Sequence, residues 1–102
     1  MINVADVDSR PRLGQIVRVL RGRDAGNYAV IIGIEEPHFV LLADGDQRKA
    51  DCPKKKNLKH IQVTNTINLE IADAIKSHGR VNNAKLRYAL NQYLLKLEQK
   101  GE

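Results

Sequence analysis

Residues 13–34 read LGQIVRVLRGRDAGNYAVIIGI, and this stretch decides the fold. Two apolar, β-branched runs, Gln15 to Leu20 and Tyr28 to Ile34, flank the polar connection RGRDAGN. Runs of that length bounded by turn residues read as strands. Gly22 and Gly26 bracket the charged part of the connection and supply the positive φ that a tight reversal needs. Gly14 meets the same kind of backbone requirement just before the first strand. In the second run Val30, Ile32 and Ile34 alternate with Ala29, Ile31 and Gly33, so both faces are apolar. A glycine inside a strand, here Gly33, marks a bulge or a close approach.

Working outward, Phe39 to Ala43 is a third apolar run, separated from the second by Glu35-Glu36-Pro37-His38, a turn. Asp44-Gly45-Asp46 is a hairpin turn signal, and it predicts a fourth strand over Gln47 to Ala50. Pro53 ends that strand, and Leu58 to Val63 returns as the fifth. Five short strands within residues 13–63 predict a small barrel rather than a sandwich.

The periodicity changes after Val63. Ile67, Ile71, Ala74 and Ile75 lie on one face of a helix over 66–78, with Asn65 or Thr66 as N-cap and His78-Gly79 at its end. Leu86, Leu90, Tyr93, Leu94 and Leu97 repeat the spacing over 83–99, with Asn82 or Asn83 as cap. The expected organisation is an N-terminal arm over 1–12, the barrel over 13–63 and a helical hairpin over 64–102. A barrel this small is marginal alone, so the apolar helical stripe is expected to extend its core. The other use of such a stripe is a partner or a second copy.

Among the 102 residues, 17 are basic and 12 acidic, a formal charge of +5, with 28% charged and 42% hydrophobic residues. Residues 1–9 carry only Asp6 and Asp8, and the start MINVADVDSR has neither the basic opening nor the apolar stretch of a secretion signal. No apolar run is long enough to cross a membrane as a helix. The positive charge falls into two clusters: Arg10, Arg12, Arg18, Arg21 and Arg23, then Arg48, Lys49, Lys54, Lys55, Lys56 and Lys59. A fold that joins them builds one basic face, suited to a polyanion.

The quoted stretch resembles a KOW motif, the strand–loop–strand element of ribosomal proteins and elongation factors, with Gly26 at the hallmark glycine. Residues 39–61, FVLLADGDQRKADCPKKKNLKHI, continue the likeness. Their order of D-G turn, basic strand, lysine-rich loop and K-H-hydrophobic ending is similar to the archaeal and eukaryotic large-subunit ribosomal protein family called fourteen-e. The nearest likeness is to small bacterial KOW-domain proteins described as RNA-binding. The resemblance implies an SH3-like (KOW-type) barrel; with the helices read from periodicity, the expected fold is mainly β, a five-stranded barrel followed by a two-helix hairpin. It also implies RNA binding and association with the large ribosomal subunit or its precursors. It covers residues 13–63; the helical tail has no residue-by-residue match.

On that reading Lys54, Lys55 and Lys56 form a phosphate-binding loop, since lysines are point charges on long stems. Asn57 and His60 add hydrogen bonds to bases or 2′-hydroxyls, and Lys59 adds to the same basic face. Arg21 and Arg23 flank Gly22 on the KOW loop and can bind phosphate or stack on a base. Arg48 and Lys49 extend the face, and Arg10 and Arg12 form a basic arm. The aromatic set, Tyr28, Phe39, Tyr88 and Tyr93, is too small for a single-strand stacking platform once Phe39 and Tyr93 enter the core. Structured RNA therefore fits better, although phosphate contacts alone do not discriminate it from duplex DNA, and the resemblance implies ribosomal RNA as the partner. His38, His60 and His78 lack metal-ligand spacing, Cys52 stands alone, and no G-x-x-x-x-G-K-[ST] loop occurs. No cofactor, no metal and no catalysis are expected. A cytoplasmic monomer is the default. The competing expectation is a protein-interaction module that docks through the barrel edge or the helical tail.

Overall fold

The computed structural model describes residues 10–100. Most of the expected arm over 1–12, with Asp6 and Asp8, lies outside them. Strands β1 (Gln15–Val19), β2 (Tyr28–Glu35), β3 (Phe39–Ala43), β4 (Lys54–Asn57) and β5 (Ile61–Ile67) are followed by helices α1 (Leu69–His78) and α2 (Asn83–Lys100). All strand pairs are antiparallel, in the order β4-β3-β2-β1-β5.

The sheet buries both faces, as the alternation in β1 and β2 requires. On one face Val17, Val19, Ala29, Ile31, Val40, Leu42 and Ile61 pack on one another, with Leu13, Ile34, Leu58 and Val63 at the margin. Among the described residues no helix covers this face, so the sheet must curl around its own side chains to exclude water. On the other face Ile16, Val30 and Ala43 meet Ile71, Val81, Leu86, Ala89 and Leu90 of the helical segment. The two helices therefore share a core with the sheet.

Strand pairing leaves the sheet open where a closed barrel was expected. A 3-10 turn, Leu58–His60, stands between β4 and β5. Its Leu58 N–H donates to the His38 carbonyl at 2.8 Å, and its His60 carbonyl accepts from Leu20 N–H at 2.8 Å. The turn takes up backbone groups where a β4–β5 ladder would otherwise form.

Further expectations are corrected. Gln47 to Ala50 is not a strand. The Asp44 carboxylate accepts from the N–H groups of Asp46 and Arg48, both at 2.8 Å, and folds the segment into a compact turn. The strand that pairs with β3 is the lysine run itself, with Leu42 opposite Lys54 and Val40 opposite Lys56. The lysines expected in a loop thus form an edge strand, which charge suits because it blocks further pairing.

The first helix starts at Leu69, not at 66, because β5 continues to Ile67, opposite Gln15. It passes through the boundary expected at 63/64. An irregularity between Gln15 and Val17 is bridged by side chains. Buried Gln15 donates to the Thr64 carbonyl at 2.9 Å, and the Thr64 hydroxyl donates to the Ile16 carbonyl at 2.6 Å. Asn68, rather than Asn65 or Thr66, caps α1 by accepting from Ile71 N–H at 2.9 Å. Gly79, at φ 76°, closes it as expected. Asn82 caps α2 by accepting from Lys85 N–H at 2.8 Å.

Finally, the register of β2 shifts between Ile31 and Gly33. The extra residue turns Ile34 to the face of Ala29 and Ile31, away from Val30 and Ile32. Gly33 is also a close approach: a Cβ there would stand 2.8 Å from Leu41 Cδ1.

Candidate nucleic-acid interface

The two basic clusters meet. Lys56, on β4, sends its Nζ to the carbonyl of Arg21, on the β1–β2 connection, at 3.0 Å. This bond ties the edge strand to a loop 35 residues earlier. Beside it opens a cleft of about 440 Å³ lined by Gly22, Arg23, Asp24, Asp44, Gln47, Arg48, Lys54 and Lys56. A much smaller hollow of about 20 Å³ adjoins it, sharing Asp24, Asp44, Arg48, Lys54 and Lys56 and backed by the core residues Val19, Ala29 and Leu42.

Each wall has a local cause. Gly22 and Gly26 adopt φ of 96° and 91°, which turns the chain sharply after β1. Gly26 N–H bonds back to the Val19 carbonyl at 2.7 Å and shuts the base of the loop. On the opposite side the Asp44 turn orients the backbone at Arg48. Arg48 is half-buried, and its Nε is shut off from solvent without a hydrogen-bond partner. One donor of that guanidinium is therefore unmet, an unfavourable state.

The strand geometry of β4 sorts the lysines. Successive side chains of a strand point to opposite faces. Lys54 and Lys56 line the cleft. Lys55 instead pairs with Glu35 at 3.1 Å and lies 4.7 Å above the Phe39 ring. Phe39 is half-buried under that ammonium rather than within the core. Asn57 accepts from Lys59 N–H at 2.9 Å and caps the 3-10 turn, so its side chain serves the fold.

The other expected residues are dispersed. Arg12, Arg21, Lys49 and Lys59 are exposed, and His60 is half-buried. Arg10 borders a separate hollow with Pro11, Ile34, Glu36 and Phe39, which shares no residue with the cleft. Gly14, at φ 83°, is a packing requirement: a Cβ there would overlap the Asn68 carbonyl and press on Ala72. Among the described residues no group of three or more His, Cys, Asp or Glu is placed to hold a metal. None of the described helices is long and apolar enough to cross a membrane.

Sequence reasoning missed two features. Arg87, on α2, donates to the Gly45 carbonyl at 2.6 Å, so the helix carries a cation onto the rim of the Asp44 turn. Gly45, at φ 81°, is packed under the Asn83 carbonyl and Leu86. Both are contacts across more than 35 residues, and neither has a local signal.

Fold and cleft together define a small, basic, mainly β protein with a cationic cleft at one sheet edge. No family model matches the chain. It is similar to a Bacillus subtilis (strain 168) protein named "Putative ribosome-binding protein YbzG", 34% identical over 71 residues, which are 70% of this chain and 96% of the relative. The chain belongs to the family of that protein.

Proposed function

We propose that the chain is a non-catalytic, ribosome-associated RNA-binding protein of the cytoplasm, working as a monomer on structured ribosomal RNA. The convergence of Arg23, Arg48, Lys54 and Lys56, from both basic clusters, on one cleft carries this reading. The relative's name supplies the ribosome. A KOW-type, SH3-like relationship fits the strand order and the 3-10 turn before β5. Cations on an edge strand and a glycine-bounded loop suit phosphates, which set position without reading sequence. Exposed aromatic surface is scarce beside them, which favours structured over single-stranded RNA.

Sedimentation of lysate through a sucrose gradient, with and without ribonuclease and at low and high salt, tests it. The expected result is cosedimentation with the large subunit or its precursors, lost on ribonuclease or salt. With about six phosphates neutralised, affinity for purified RNA falls roughly 10³-fold between 50 and 200 mM salt. Slow sedimentation in every condition overturns ribosome association.

One observation favours a second reading, a protein-docking surface. Tyr88 and Leu95, seven residues apart on α2, are 65% and 52% exposed. If ribosome association survives neutralisation of the cleft but fails in a Tyr88→Ala/Leu95→Ala variant, that surface is the contact.

A further inference from the structure

Asp24 is out of place in a cleft built for phosphate. It is half-buried and lines the cleft between cations. Among the described residues its carboxylate has neither an ion pair nor a hydrogen bond. Asp44 differs, since one of its oxygens already holds two backbone N–H groups.

A carboxylate repels phosphate, so Asp24 does not serve the RNA backbone. A divalent cation is no better an occupant: Arg23, Arg48, Lys54 and Lys56 share the cleft, and no third acidic or histidine ligand is placed to complete a metal site. What remains in RNA is its donors, the base N–H groups and the 2′-hydroxyl. An ionised carboxylate offers two acceptor oxygens side by side. Guanine alone presents two adjacent donors, N1–H and the exocyclic amino group, on its Watson–Crick edge. Those two groups can meet both oxygens in parallel, the arrangement that strengthens charged pairs. The cleft volume of about 440 Å³ falls in the range of pockets that enclose small ligands.

We infer that the cleft receives one unpaired guanine nucleotide of the RNA, its base edge on Asp24 and its phosphate on Arg23, Arg48 and Lys54. This deepens the RNA-binding reading and rests on it. Sequence preference then sits inside an otherwise backbone-reading face.

The test uses the full chain, labelled with ¹⁵N, and two kinds of probe. The first is the four free nucleoside monophosphates. The second is a pair of RNA decamers, all-uridine and the same with one central guanine. The expected result is amide shifts over 22–27 and 44–48, with the guanine decamer bound about tenfold or more tighter than all-uridine. GMP should act at lower concentration than AMP, CMP or UMP, and more weakly than the guanine decamer. Asp24→Asn, checked as folded by the same spectra, should erase the preference while binding to the all-uridine decamer persists. Equal affinity for both decamers overturns the inference and leaves the RNA-binding reading standing. A preference that survives Asp24→Asn overturns it too. GMP binding as tightly as the guanine decamer overturns the RNA source in favour of a free nucleotide. Absence of any response in the cleft to either decamer overturns the inference, whereas the structured-RNA reading stands or falls on the sedimentation experiment.

Discussion

The side-chain oxygen of Asn83 accepts a hydrogen bond from the backbone N–H of Ala50 at 2.7 Å, across 33 residues of sequence. The first turn of α2 thereby holds the connection between β3 and β4, the segment that carries Arg48 into the cleft. Beside that bond Arg87 grips the Gly45 carbonyl. The helices thus act on the candidate site from behind: they fix the wall opposite the β1–β2 loop.

Asn83→Ala should therefore do two things. It leaves a half-buried N–H without a partner, so stability falls by about 1–2 kcal/mol. It also loosens the wall that positions Arg48, so RNA affinity falls although no cation is removed. Urea denaturation and RNA titration of the same variant check both. Unchanged RNA affinity in a destabilised variant would show that the tether serves stability alone.

The lysine run gives a sharper contrast. Lys54→Gln removes a cation from the cleft, whereas Lys55→Gln removes one already engaged by Glu35 and Phe39. The first variant should weaken RNA binding and lower the slope of log affinity against log salt by about 1. The second should leave that slope in place. Its cost in stability is small, below about 1 kcal/mol, because both partners of the ion pair are about half exposed. Equal slopes for the two variants would contradict the sorting by strand pleat.

That sorting shows where the sequence was legible. Local pattern placed β1, β2 and β3, because alternation and glycine punctuation are local. It also found the Gly33 irregularity and the Gly79 helix end. It misplaced β4, because a D-G pair resembles a hairpin turn whether or not the next residues pair. The Asp44 side chain, which captures two backbone N–H groups, decides otherwise. It also ended β5 too early: Thr64, Asn65 and Thr66 are all polar and show no apolar alternation, and only pairing with β1 through Gln15 keeps the segment extended. Of the site, the cationic residue types were readable. Which lysines share a face, that Asp24 joins them, and that Arg87 reaches the neighbouring Asp44 turn, depend on contacts with no sequence periodicity.

Glycine substitutions separate two physical costs. Gly26 has φ 91° with open space around its Cβ position, so Gly26→Ala carries the left-handed backbone cost alone, about 1–2 kcal/mol. Gly14 has φ 83° and the Asn68 carbonyl in the way, so overpacking adds to the same strain and Gly14→Ala costs about 3 kcal/mol or more. Paired denaturation curves check the order. Similar losses at the two sites would mean that the approach of α1 to Gly14 relaxes easily.

Truncation distinguishes helix as core from helix as appendage. A chain ending at Ile67 uncovers Ile16, Val30 and Ala43, each at most 1% exposed in the whole protein. It should lose dispersed amide signals and aggregate, because the remaining sheet has no partner for that face. A chain ending at Tyr93 keeps Leu86, Leu90 and the Tyr28–Tyr93 ring pair at 5.3 Å. It removes Leu94, Leu95 and Leu97, which are 40%, 52% and 36% exposed and contribute little to the core. Its stability should drop by less than about 2 kcal/mol, the scale of one partly buried leucine. Its RNA salt slope should be unchanged, because the cleft and the Asn83 tether are intact. Should that shorter chain keep RNA binding yet lose sedimentation with ribosomes, the last turns of α2 hold a protein contact.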